Sequence, residues 1–400
     1  MKLLNSRLII TNYKEEEKEG LLMAHFSEKK LVNLQIYPKQ EPGILGNIYV
    51  GKVTNIVDNI GAAFIDIGNK TNCYYSLKEN IDPYYINEKK NTRMCVGDEV
   101  LVQVEREAMK TKAACVSSKL SFTGKYLVLN SNDGGINVSR KIPKEEHEKY
   151  KNWLLPMLGD GYGFIVRTNA QYANKEALSR EAMSLLQRYQ KILQVAKMRT
   201  CYSLIEKGLS PTLTFLRDTN DLTYDEIVTD IEEVYEEIKE YFGKIDAKRQ
   251  ELVRFYEDTM VSLQNLYNLK KAVDDALNKK VWLKSGGFLV IEQTEAFVAI
   301  DVNTGKYQGG KNRNETLVKM NEEAALEIAR QLRIRNLSGI ILIDFINTQE
   351  KDTTKWISTL KGELKKDPVD TRFIDLTALQ IVELTRKKTR KSFVEQYREI

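Results

Sequence analysis

Two aspartates stand at the ends of short apolar segments, and an asparagine follows the first of them. Asp301 ends the stretch FVAI, with Asn303 two positions later, and Asp344 ends the stretch SGIILI. Two carboxylates brought close together repel each other unless a cation lies between them. Magnesium prefers hard oxygen ligands, is often held by one or two carboxylates and keeps water molecules that substrate phosphates replace. The residue types therefore indicate a metal site that can polarise a phosphoryl group and activate water.

The segment between the two aspartates predicts how they meet. Residues 313–336 place apolar side chains at helical spacing, so the predicted order is strand, helix, strand. These side chains are Leu317, Ala324, Ile328 and Leu332. Such crossovers are almost always right-handed and make the two strands parallel, which brings Asp301 and Asp344 to one carboxyl edge of one sheet. Taken singly, each aspartate is more typical of a turn or a helix cap. The matched pair favours a site.

The overall composition bounds the class of protein. Its 400 residues are too many for one compact core and indicate roughly two to four domains. Lys and Arg outnumber Asp and Glu by 61 to 56, and this net charge of +5 is compatible with an anionic partner without requiring one. No apolar segment reaches membrane-spanning length and no long signal segment starts the chain, so the expected location is cytoplasmic.

Cysteine and histidine are too sparse for several common kinds of site. The four cysteines are Cys73, Cys95, Cys115 and Cys201, with no CxxC pair among them. Their spacing argues against a disulfide framework and against a zinc site within residues 1–400. The two histidines, His25 and His147, lie near no candidate nucleophile, which argues against Ser-His-Asp and Cys-His catalysis. Any hydrolysis is expected to depend on carboxylates and metal.

The first part of the chain has strand patterns. Residues 1–36 alternate apolar and polar side chains in three runs, which predicts three short antiparallel strands. The glycine-broken runs GNIYVGKVTNIV, GAAFIDIG and VLVQVE then predict a small closed barrel. Phe64 and Tyr74 lie on neighbouring strands, and Arg106, Lys110 and Lys112 follow the last long strand. This combination is typical of a barrel that holds single-stranded nucleic acid by stacking and charge. The alternative is that Phe64 is core and the cations are solvated.

A strand end in the middle of the chain carries a second candidate site. Arg167 and Thr168 end the strand pattern GFIVRT, before a helix predicted from Gln171 to Arg199. An arginine and a hydroxyl at a strand end can bind phosphate. Such residues more often cap a helix or pair with an acid, so both interpretations stay open.

The later segments carry less chemical information. The patterns predict strands at 212–216 and 226–230 and helices at 232–242 and 248–256. Near the end, the basic run TRKKTRKSF at 385–393 is either a solvated face or a support for a phosphodiester backbone.

Several long pieces of the sequence resemble the ribonuclease E/G family, bacterial endoribonucleases that cut single-stranded RNA. The pieces are GGFLVIEQTEAFVAIDVNTGK, EIARQLRIRNLSGIILIDFI and VELTRKK, and the resemblance extends along nearly all 400 residues. It implies that Asp301 and Asp344 bind magnesium and that Asn303 supports them.

The same resemblance implies RNA contacts away from the metal site. GNIYVGKV and GAAFIDIG resemble the OB-type RNA-binding domain of the family, which implies RNA-binding roles for Phe64, Tyr74 and Lys112. The piece FIVRT resembles the family's sensor for a 5′-monophosphate. The implied sensor residues are Arg167, Thr168, Gly124 and Val128, with Arg140 of VSRKI beside them.

The implied fold is a multidomain α+β and α/β chain. Residues 1–36 and 215–278 would form one discontinuous, non-catalytic ribonuclease-H-like domain. An OB-fold barrel at 37–121 and a 5′-sensor region at 122–214 would be inserted into it, and a DNase-I-like α/β catalytic domain would follow at 279–400. Spacing and periodicity do not themselves join the first and middle segments.

Three positions depart from the family pattern. Asn347 stands where the family usually has an acidic residue, so a carboxylate three positions after Asp344 is missing. Gln380 stands where a glycine usually precedes the VEMTRK piece. The chain ends at Ile400, before the cysteine pair through which relatives share zinc between two subunits. A homo-oligomer stays possible, but the zinc-linked contact is not expected within these residues.

These features predict a magnesium-dependent endoribonuclease that cuts single-stranded RNA, favours 5′-monophosphorylated ends and acts in RNA processing and decay. One alternative is an RNA-binding protein on the same scaffold with weak or no cleavage. Another is a nuclease that acts on DNA. Replacing the two aspartates tests the first alternative, and matched RNA and DNA oligonucleotides test the second.

Overall fold

The computed structural model describes residues 6–39, 43–68, 70–87, 89, 93–108, 112–218, 224–245, 247–258, 260–305 and 313–400. The chain divides into two compact units. The outer unit comprises Met1–Glu41 and Asp221–Ile400, and the inserted unit comprises Pro42–Asn220. Among the described residues, no helix combines the length and the apolar character needed to cross a bilayer.

The chain opens with a three-stranded antiparallel meander, as its alternating pattern predicts. The strands are β1 (Ser6–Glu15), β2 (Lys18–Ser27) and β3 (Lys30–Pro38). Ile9, Ala24 and Leu34 lie in register across the three strands and are buried. A one-residue slip would move these side chains to the opposite face, so their burial fixes the register.

The inserted unit begins with the predicted closed barrel. Its strands are β4 (Ile48–Val57), β5 (Ala62–Asp66), β6 (Asn72–Ser76), β7 (Glu99–Arg106) and β8 (Cys115–Ser117). They follow the order β4-β5-β6-β8-β7, and β7 pairs back onto β4, which closes an OB-like barrel. A β carbon at Gly51 would lie 2.5 Å from Ile65 Cγ2 and 3.2 Å from the Asp66 carbonyl oxygen, so glycine permits the tight approach of β4 and β5.

A smaller sheet and three helices complete the inserted unit. The strands are β9 (Ser121–Thr123), β10 (Leu127–Ser131), β11 (Gly135–Val138), β12 (Tyr162–Val166) and β13 (Leu204–Glu206). The helices are α1 (His147–Leu154), α2 (Lys175–Lys197) and α3 (Pro211–Asp218). The sheet order is β11-β12-β10-β9, and β13 pairs with β4 of the barrel. Helix α2 contributes Leu178, Ala182 and Leu185 to the core shared with β10 and β12.

Two predictions for this unit need correction. Helix α2 begins at Lys175, later than predicted, because Asn174 caps it by accepting a hydrogen bond from the N–H of Ala177. The strand predicted at 212–216 is wrong, because these residues belong to α3. Ser210 Oγ accepts a hydrogen bond from the N–H of Leu213 at 3.1 Å, and Pro211 is the first helical residue. A serine followed by proline is a helix start, and this local signal outweighs the strand-like alternation.

When the chain returns to the outer unit it completes the first sheet. The new elements are β14 (Glu226–Thr229), α4 (Glu232–Ile245), β15 (Val253–Phe255), α5 (Leu263–Leu266) and α6 (Leu269–Leu277). The sheet order is β15-β14-β1-β2-β3, with β1 and β14 parallel. The helix predicted at 248–256 is wrong. A 3₁₀ turn over Ala247–Leu252 leads into β15, which pairs parallel with β14 on the side away from β1. The first and middle segments therefore share one sheet.

The last part of the outer unit is a six-stranded sheet with three helices. The strands are β16 (Lys280–Trp282), β17 (Phe288–Gln293), β18 (Phe297–Asn303), β19 (Gly339–Asp344), β20 (Thr371–Leu376) and β21 (Ile381–Arg386). The helices are α7 (Arg313–Ile334), α8 (Glu350–Leu364) and α9 (Phe393–Arg398). The order is β16-β17-β18-β19-β21-β20. β18 and β19 are parallel and joined through α7, so the predicted strand-helix-strand crossover is confirmed.

The two faces of this sheet differ in character. Ile300 and Ile343 pack with Ile328 of α7 and Leu360 of α8 in one buried cluster. Because successive side chains of a strand point to opposite faces, the alternate residues form the other face. It includes Ala299, Asp301, Leu342 and Asp344, which are half-buried or exposed. We call this surface the open face.

Candidate active site and phosphate-binding residues

Asp301 and Asp344 lie side by side at the carboxyl ends of two neighbouring parallel strands. Asp301 of β18 is the direct ladder partner of Asp344 of β19. Adjacent strands are about 4.8 Å apart, and both side chains are exposed on the open face. The crossover therefore brings together the two carboxylates that the sequence singles out.

The two carboxylates influence one another, and an amide orients one of them. Desolvation and, second, the negative charge of Asp301 raise the pKa of Asp344 above its ordinary value. Asn303 Nδ2 donates a hydrogen bond to Asp301 Oδ2 at 2.7 Å. Asn303 thus fixes the direction of Asp301, and a bound cation would relieve the repulsion between the carboxylates.

The donor set fits magnesium better than zinc. Two carboxylates on an exposed sheet face supply hard oxygen ligands and leave room for water, which is how magnesium is commonly held. In the parts of the chain that the structure describes, no group of three or more His, Cys, Asp or Glu side chains is placed to hold a metal.

Close backbone contacts fix the chain at the end of β18. Gly305 has a φ of +63°, and a β carbon there would lie 2.3 Å from the carbonyl oxygen of Gly286. A β carbon on Gly287 would lie 2.7 Å from the carbonyl oxygen of Asn303. Glycines at these positions let the start of β17 pack against the backbone that follows Asp301.

A buried asparagine on α7 fixes the chain just beyond Asp344. Asn321 is fully buried, its Nδ2 donates to the carbonyl oxygen of Ile346 at 2.7 Å, and its Oδ1 accepts from the N–H of Ile346 at 3.2 Å. This residue was not among those predicted from the sequence. The available signal was a polar side chain beside Met320 on a helix face that is otherwise apolar.

The barrel brings Phe64, Tyr74 and Arg106 into one row of cross-strand neighbours. Phe64 pairs with Tyr74, Tyr74 with Cys115, and Cys115 with Arg106. The two rings are half-buried and meet edge to face, with centroids 6.4 Å apart. Arg106 Nη2 donates to Cys115 Sγ at 3.5 Å. Lys112 is exposed in the segment between β7 and β8, and Lys110 lies outside the described residues. The row therefore carries two aromatic rings and one cation.

Arg167 at the end of β12 is held through both its backbone and its side chain. Its N–H donates to the carbonyl oxygen of Tyr126 at 2.8 Å, and its Nη1 donates to that of Gly124 at 2.6 Å. Its Nη2 donates to Asp218 Oδ1 at 3.2 Å. Arg217 binds the same carboxylate through Nε at 2.9 Å and Nη2 at 3.0 Å. Asp218 therefore lies between two guanidinium groups, an arrangement that also suits a phosphate.

The other predicted sensor residues lie around Arg167. Thr168 Oγ1 is 3.0 Å from Ser139 Oγ, within hydrogen-bonding distance. Arg140 is exposed on the turn after β11, next to Ser139. Val128 lies on β10, which pairs antiparallel with β12. The fold thus gathers the residues that the sequence placed far apart.

Glu181 of α2 holds the loop that carries Gly124. Its carboxylate accepts hydrogen bonds from three successive backbone N–H groups. These donors are Lys125, Tyr126 and Leu127, at 2.7, 2.8 and 2.8 Å. Burial raises the pKa of Glu181, against the opposing effects of these hydrogen bonds and of the charge of Arg167. Neither Glu181 nor Asp218 was predicted from the sequence, since acidic residues on amphipathic helices are common and carry no local signal.

The basic run at 385–393 begins with a buried structural residue. The side chains of Arg386 and Asp367 are each only 2% exposed, and Arg386 Nε lies 2.9 Å from Asp367 Oδ2. Arg386 Nη1 also donates to Asn336 Oδ1 at 2.8 Å and to the carbonyl oxygen of Leu337 at 3.0 Å. The hypothesis that this run supports a phosphodiester backbone is therefore wrong for Arg386. It stays open for the exposed lysines that follow.

A mixed α+β chain that combines a closed OB-like barrel with paired carboxylates at a sheet edge has the construction of a nuclease. Comparison with known families agrees with this class. A sequence model described as the Ribonuclease E/G family matches residues 121–389. The chain belongs to the ribonuclease E/G family.

Individual relatives extend the match over most of the chain. A ribonuclease G from Haemophilus influenzae is 32% identical over 377 residues, which cover 90% of this chain and 76% of the relative. A ribonuclease G from Escherichia coli strain K12 is 32% identical over 376 residues, with the same coverage. A ribonuclease E from Synechocystis is 31% identical over 361 residues, which cover 88% of this chain and 53% of that protein.

Proposed function

We propose that the chain is a magnesium-dependent endoribonuclease that hydrolyses phosphodiester bonds in single-stranded RNA. The observation that carries this proposal is the direct pairing of Asp301 with Asp344 at the ends of β18 and β19. Membership of the ribonuclease E/G family supports it. The proposed role is RNA processing and decay in the cytoplasm.

The residues of the open face have distinct parts in this reaction. Asp301 and Asp344 would hold a magnesium ion, which when bound polarises a phosphoryl oxygen and lowers the pKa of a water ligand. Asn303 keeps Asp301 in a single orientation through its hydrogen bond at 2.7 Å. Asn321 holds the backbone beyond Asp344 and so fixes the second carboxylate. Rigid support of this kind matters because small displacements of catalytic groups strongly reduce rates.

We further propose that the barrel holds the RNA strand. Phe64 and Tyr74 offer aromatic surfaces on which bases can stack, and Arg106 and Lys112 supply positive charge for the backbone. Stacking and charge hold single-stranded nucleic acid with little dependence on sequence. Arg106 keeps its full charge while its Nη2 contacts Cys115.

We assign a preference for 5′-monophosphorylated ends to the region around Arg167. A terminal phosphate can take the place of the Asp218 carboxylate, because it offers more acceptor oxygens and more negative charge to the guanidinium groups of Arg167 and Arg217. Thr168, Arg140 and the backbone near Gly124 and Val128 would complete this sensor. A 5′-hydroxyl has no charge with which to displace Asp218.

A cleavage assay with matched oligonucleotides tests the proposed function. One single-stranded sequence is prepared as RNA with a 5′-monophosphate, as RNA with a 5′-hydroxyl and as DNA. We expect cleavage of RNA in magnesium, none in excess chelator, and faster cleavage of the monophosphorylated RNA. Faster cleavage of the DNA would overturn the substrate class, and tight RNA binding without cleavage would favour the RNA-binding alternative.

A further inference from the structure

Two aromatic rings and a lysine form a compact group at the edge of the six-stranded sheet. Trp282 of β16 and Phe288 of β17 are direct ladder partners, with ring centroids 5.3 Å apart. Lys280 Nζ lies 4.1 Å from the centroid of the Trp282 ring and 3.7 Å from that of Phe288. We call these three residues the Trp282 cluster. Its cation and rings attract one another, which favours this arrangement.

The Trp282 cluster lies on the same face of the sheet as the paired aspartates. Phe288 is the ladder partner of Asn303, and Val290 is the partner of both Lys280 and Asp301. Lys280, Val290 and Asp301 therefore form a row across three strands that continues to Asp344. Two strand spacings of about 4.8 Å put the backbone of Lys280 roughly 10 Å from that of Asp301.

Trp282 is too exposed to serve the core. Trp282 is 64% exposed, although its strand β16 pairs with β17 in the six-stranded sheet. A single exposed apolar residue needs no explanation, but an indole beside a second ring and a cation offers a specific recognition surface. Lys280 lies over part of the rings, and most of the indole remains open to a ligand.

We propose that the Trp282 cluster is a base-binding subsite for the RNA strand, a short distance along the strand from the phosphodiester at Asp301 and Asp344. This inference rests on the proposed ribonuclease function. The indole stacks on one nucleobase, and the Lys280 ammonium contacts a neighbouring phosphate. Because every base has a π face, this subsite binds RNA without reading its sequence.

The charges around the cluster favour RNA over a second protein copy as the occupant. Lys280 supplies the positive charge that a phosphate needs. A second copy covering this face would also cover Asp301 and Asp344, and burying two carboxylates without a partner is costly. An RNA strand would instead place its phosphates next to the metal cation that the two carboxylates would hold.

Substitution of Trp282 tests the subsite. Affinity for a fluorescently labelled single-stranded RNA is measured by anisotropy in chelator, and KM and kcat are measured in magnesium. We expect Trp282→Ala to weaken binding and raise KM about tenfold with little change in kcat, since stacking is worth roughly 1–3 kcal/mol per base and 1.4 kcal/mol is tenfold. Trp282→Phe should retain most of the affinity. The matched control is Met260→Ala, because Met260 is 92% exposed in the same unit and outside the proposed site.

A series of RNAs with one abasic position locates the stacked base. In the parent protein, loss of one particular base near the cut should weaken binding. In Trp282→Ala, loss of the same base should have no further effect, since the two changes remove the same contact. Lys280→Gln should reduce the steepness with which the association constant for RNA falls with salt concentration. On a plot of log K against log salt, the magnitude of the slope should decrease by about 0.7, the value of one phosphate contact on a single strand.

The possible failures are distinguishable. If the parent cleaves RNA but Trp282→Ala has parental affinity and KM, the subsite is wrong and the proposed function stands. If the parent does not cleave RNA in magnesium, the proposed function itself fails. If Trp282→Ala changes the sedimentation behaviour of the protein while each chain keeps its RNA affinity, the Trp282 cluster is a contact between protein copies and the proposal is overturned.

Discussion

Asp301 and Asp344 stand side by side in the parallel ladder of β18 and β19, so the electrostatic state of one carboxylate depends on the other. Desolvation raises the pKa of Asp344, and the negative charge of Asp301 adds to this effect. Among the described contacts, the Asn303 side chain donates to Asp301 and not to Asp344, so the surroundings of the two carboxylates differ. Substitutions should therefore separate the two carboxylates from the amide that orients one of them.

We expect Asp301→Asn and Asp344→Asn each to reduce RNA cleavage by about 100-fold or more, because each removes a charged oxygen ligand worth several kcal/mol in the transition state. Asn303→Ala should reduce the rate of RNA cleavage about 10-fold, as expected for a residue that orients a metal-binding side chain. Initial rates in magnesium provide the measurement. Glu399→Gln is the control, since Glu399 is an exposed carboxylate paired with Lys391. Parental rates in both aspartate variants would rule out the two-carboxylate site.

We expect Arg167→Ala to remove the preference for 5′-monophosphorylated RNA. A charge-assisted hydrogen bond contributes about 1.5–3 kcal/mol, so the ratio of kcat/KM between monophosphate and hydroxyl ends should fall about 10- to 100-fold. The rate on RNA with a 5′-hydroxyl should change little, which separates sensing from a folding defect. Arg199→Ala, an exposed arginine of the same unit, is the control. An unchanged ratio in Arg167→Ala would remove this residue from the sensor.

We expect Arg386→Met to lower the free energy of unfolding of the outer unit by about 3–5 kcal/mol, because it leaves the buried carboxylate of Asp367 without its cation. Lys387→Met changes the exposed neighbour and should stay within about 0.5 kcal/mol of the parent. Urea unfolding followed by circular dichroism compares the two variants. If Lys387→Met were the more damaging, the assignment of Arg386 as structural would be wrong.

The stability of the outer unit should fall as the pH decreases from about 6.5 to about 4. Burial lowers the pKa of His25 from 6.5 to about 4, so in this range the unfolded chain binds a proton that the folded chain does not. The His25 contribution is present in full above pH 6.5 and is lost progressively below it, by about 3 kcal/mol in total. Unfolding free energies of the parent and of His25→Gln at pH 7, 5.5 and 4 measure it. A parental pH dependence in His25→Gln would contradict the assignment.

Replacing Gln380 by glycine should stabilise the protein. Gln380 has a φ of +64° in the turn between β20 and β21, where its N–H donates to the carbonyl oxygen of Thr377 at 2.9 Å. A side chain in this left-handed region costs about 1 kcal/mol, so Gln380→Gly should raise the unfolding free energy by about 0.5–1 kcal/mol. Gln380→Ala keeps the β carbon and should give no gain. Thermal denaturation of the three proteins distinguishes these outcomes.

The arrangement of the two aspartates was predictable because it depends on local patterns and one topological rule. Apolar runs identify β18 and β19, helical spacing identifies α7, and the handedness of the crossover makes the strands parallel. The closed barrel was predictable for a similar reason, since glycine-broken strands without helical spacing leave few alternatives. Each of these elements is therefore identified by the sequence pattern of its own residues.

Contacts between distant segments were not predictable from spacing. β1 pairs with β14, and Thr11 Oγ1 donates to Asp230 Oδ2 at 2.9 Å across 219 positions of sequence. Nothing local to either segment encodes such a partner. The roles of Glu181 and Asp218 depend on the same kind of long-range contact, because each carboxylate binds groups more than fifty positions away.

The pairing of β1 with β14 also constrains the order in which the chain can fold. During synthesis, β1 to β3 emerge before β14, so the edge of β1 that pairs with β14 has no partner until residues 226–229 have followed the whole inserted unit. Closing a flexible loop of that length costs roughly 5 kcal/mol, and an unpaired strand edge can accept a strand from another chain. Exchange of β14 between two nascent chains is therefore the expected misfolding route. Early and independent folding of the inserted unit would protect against it.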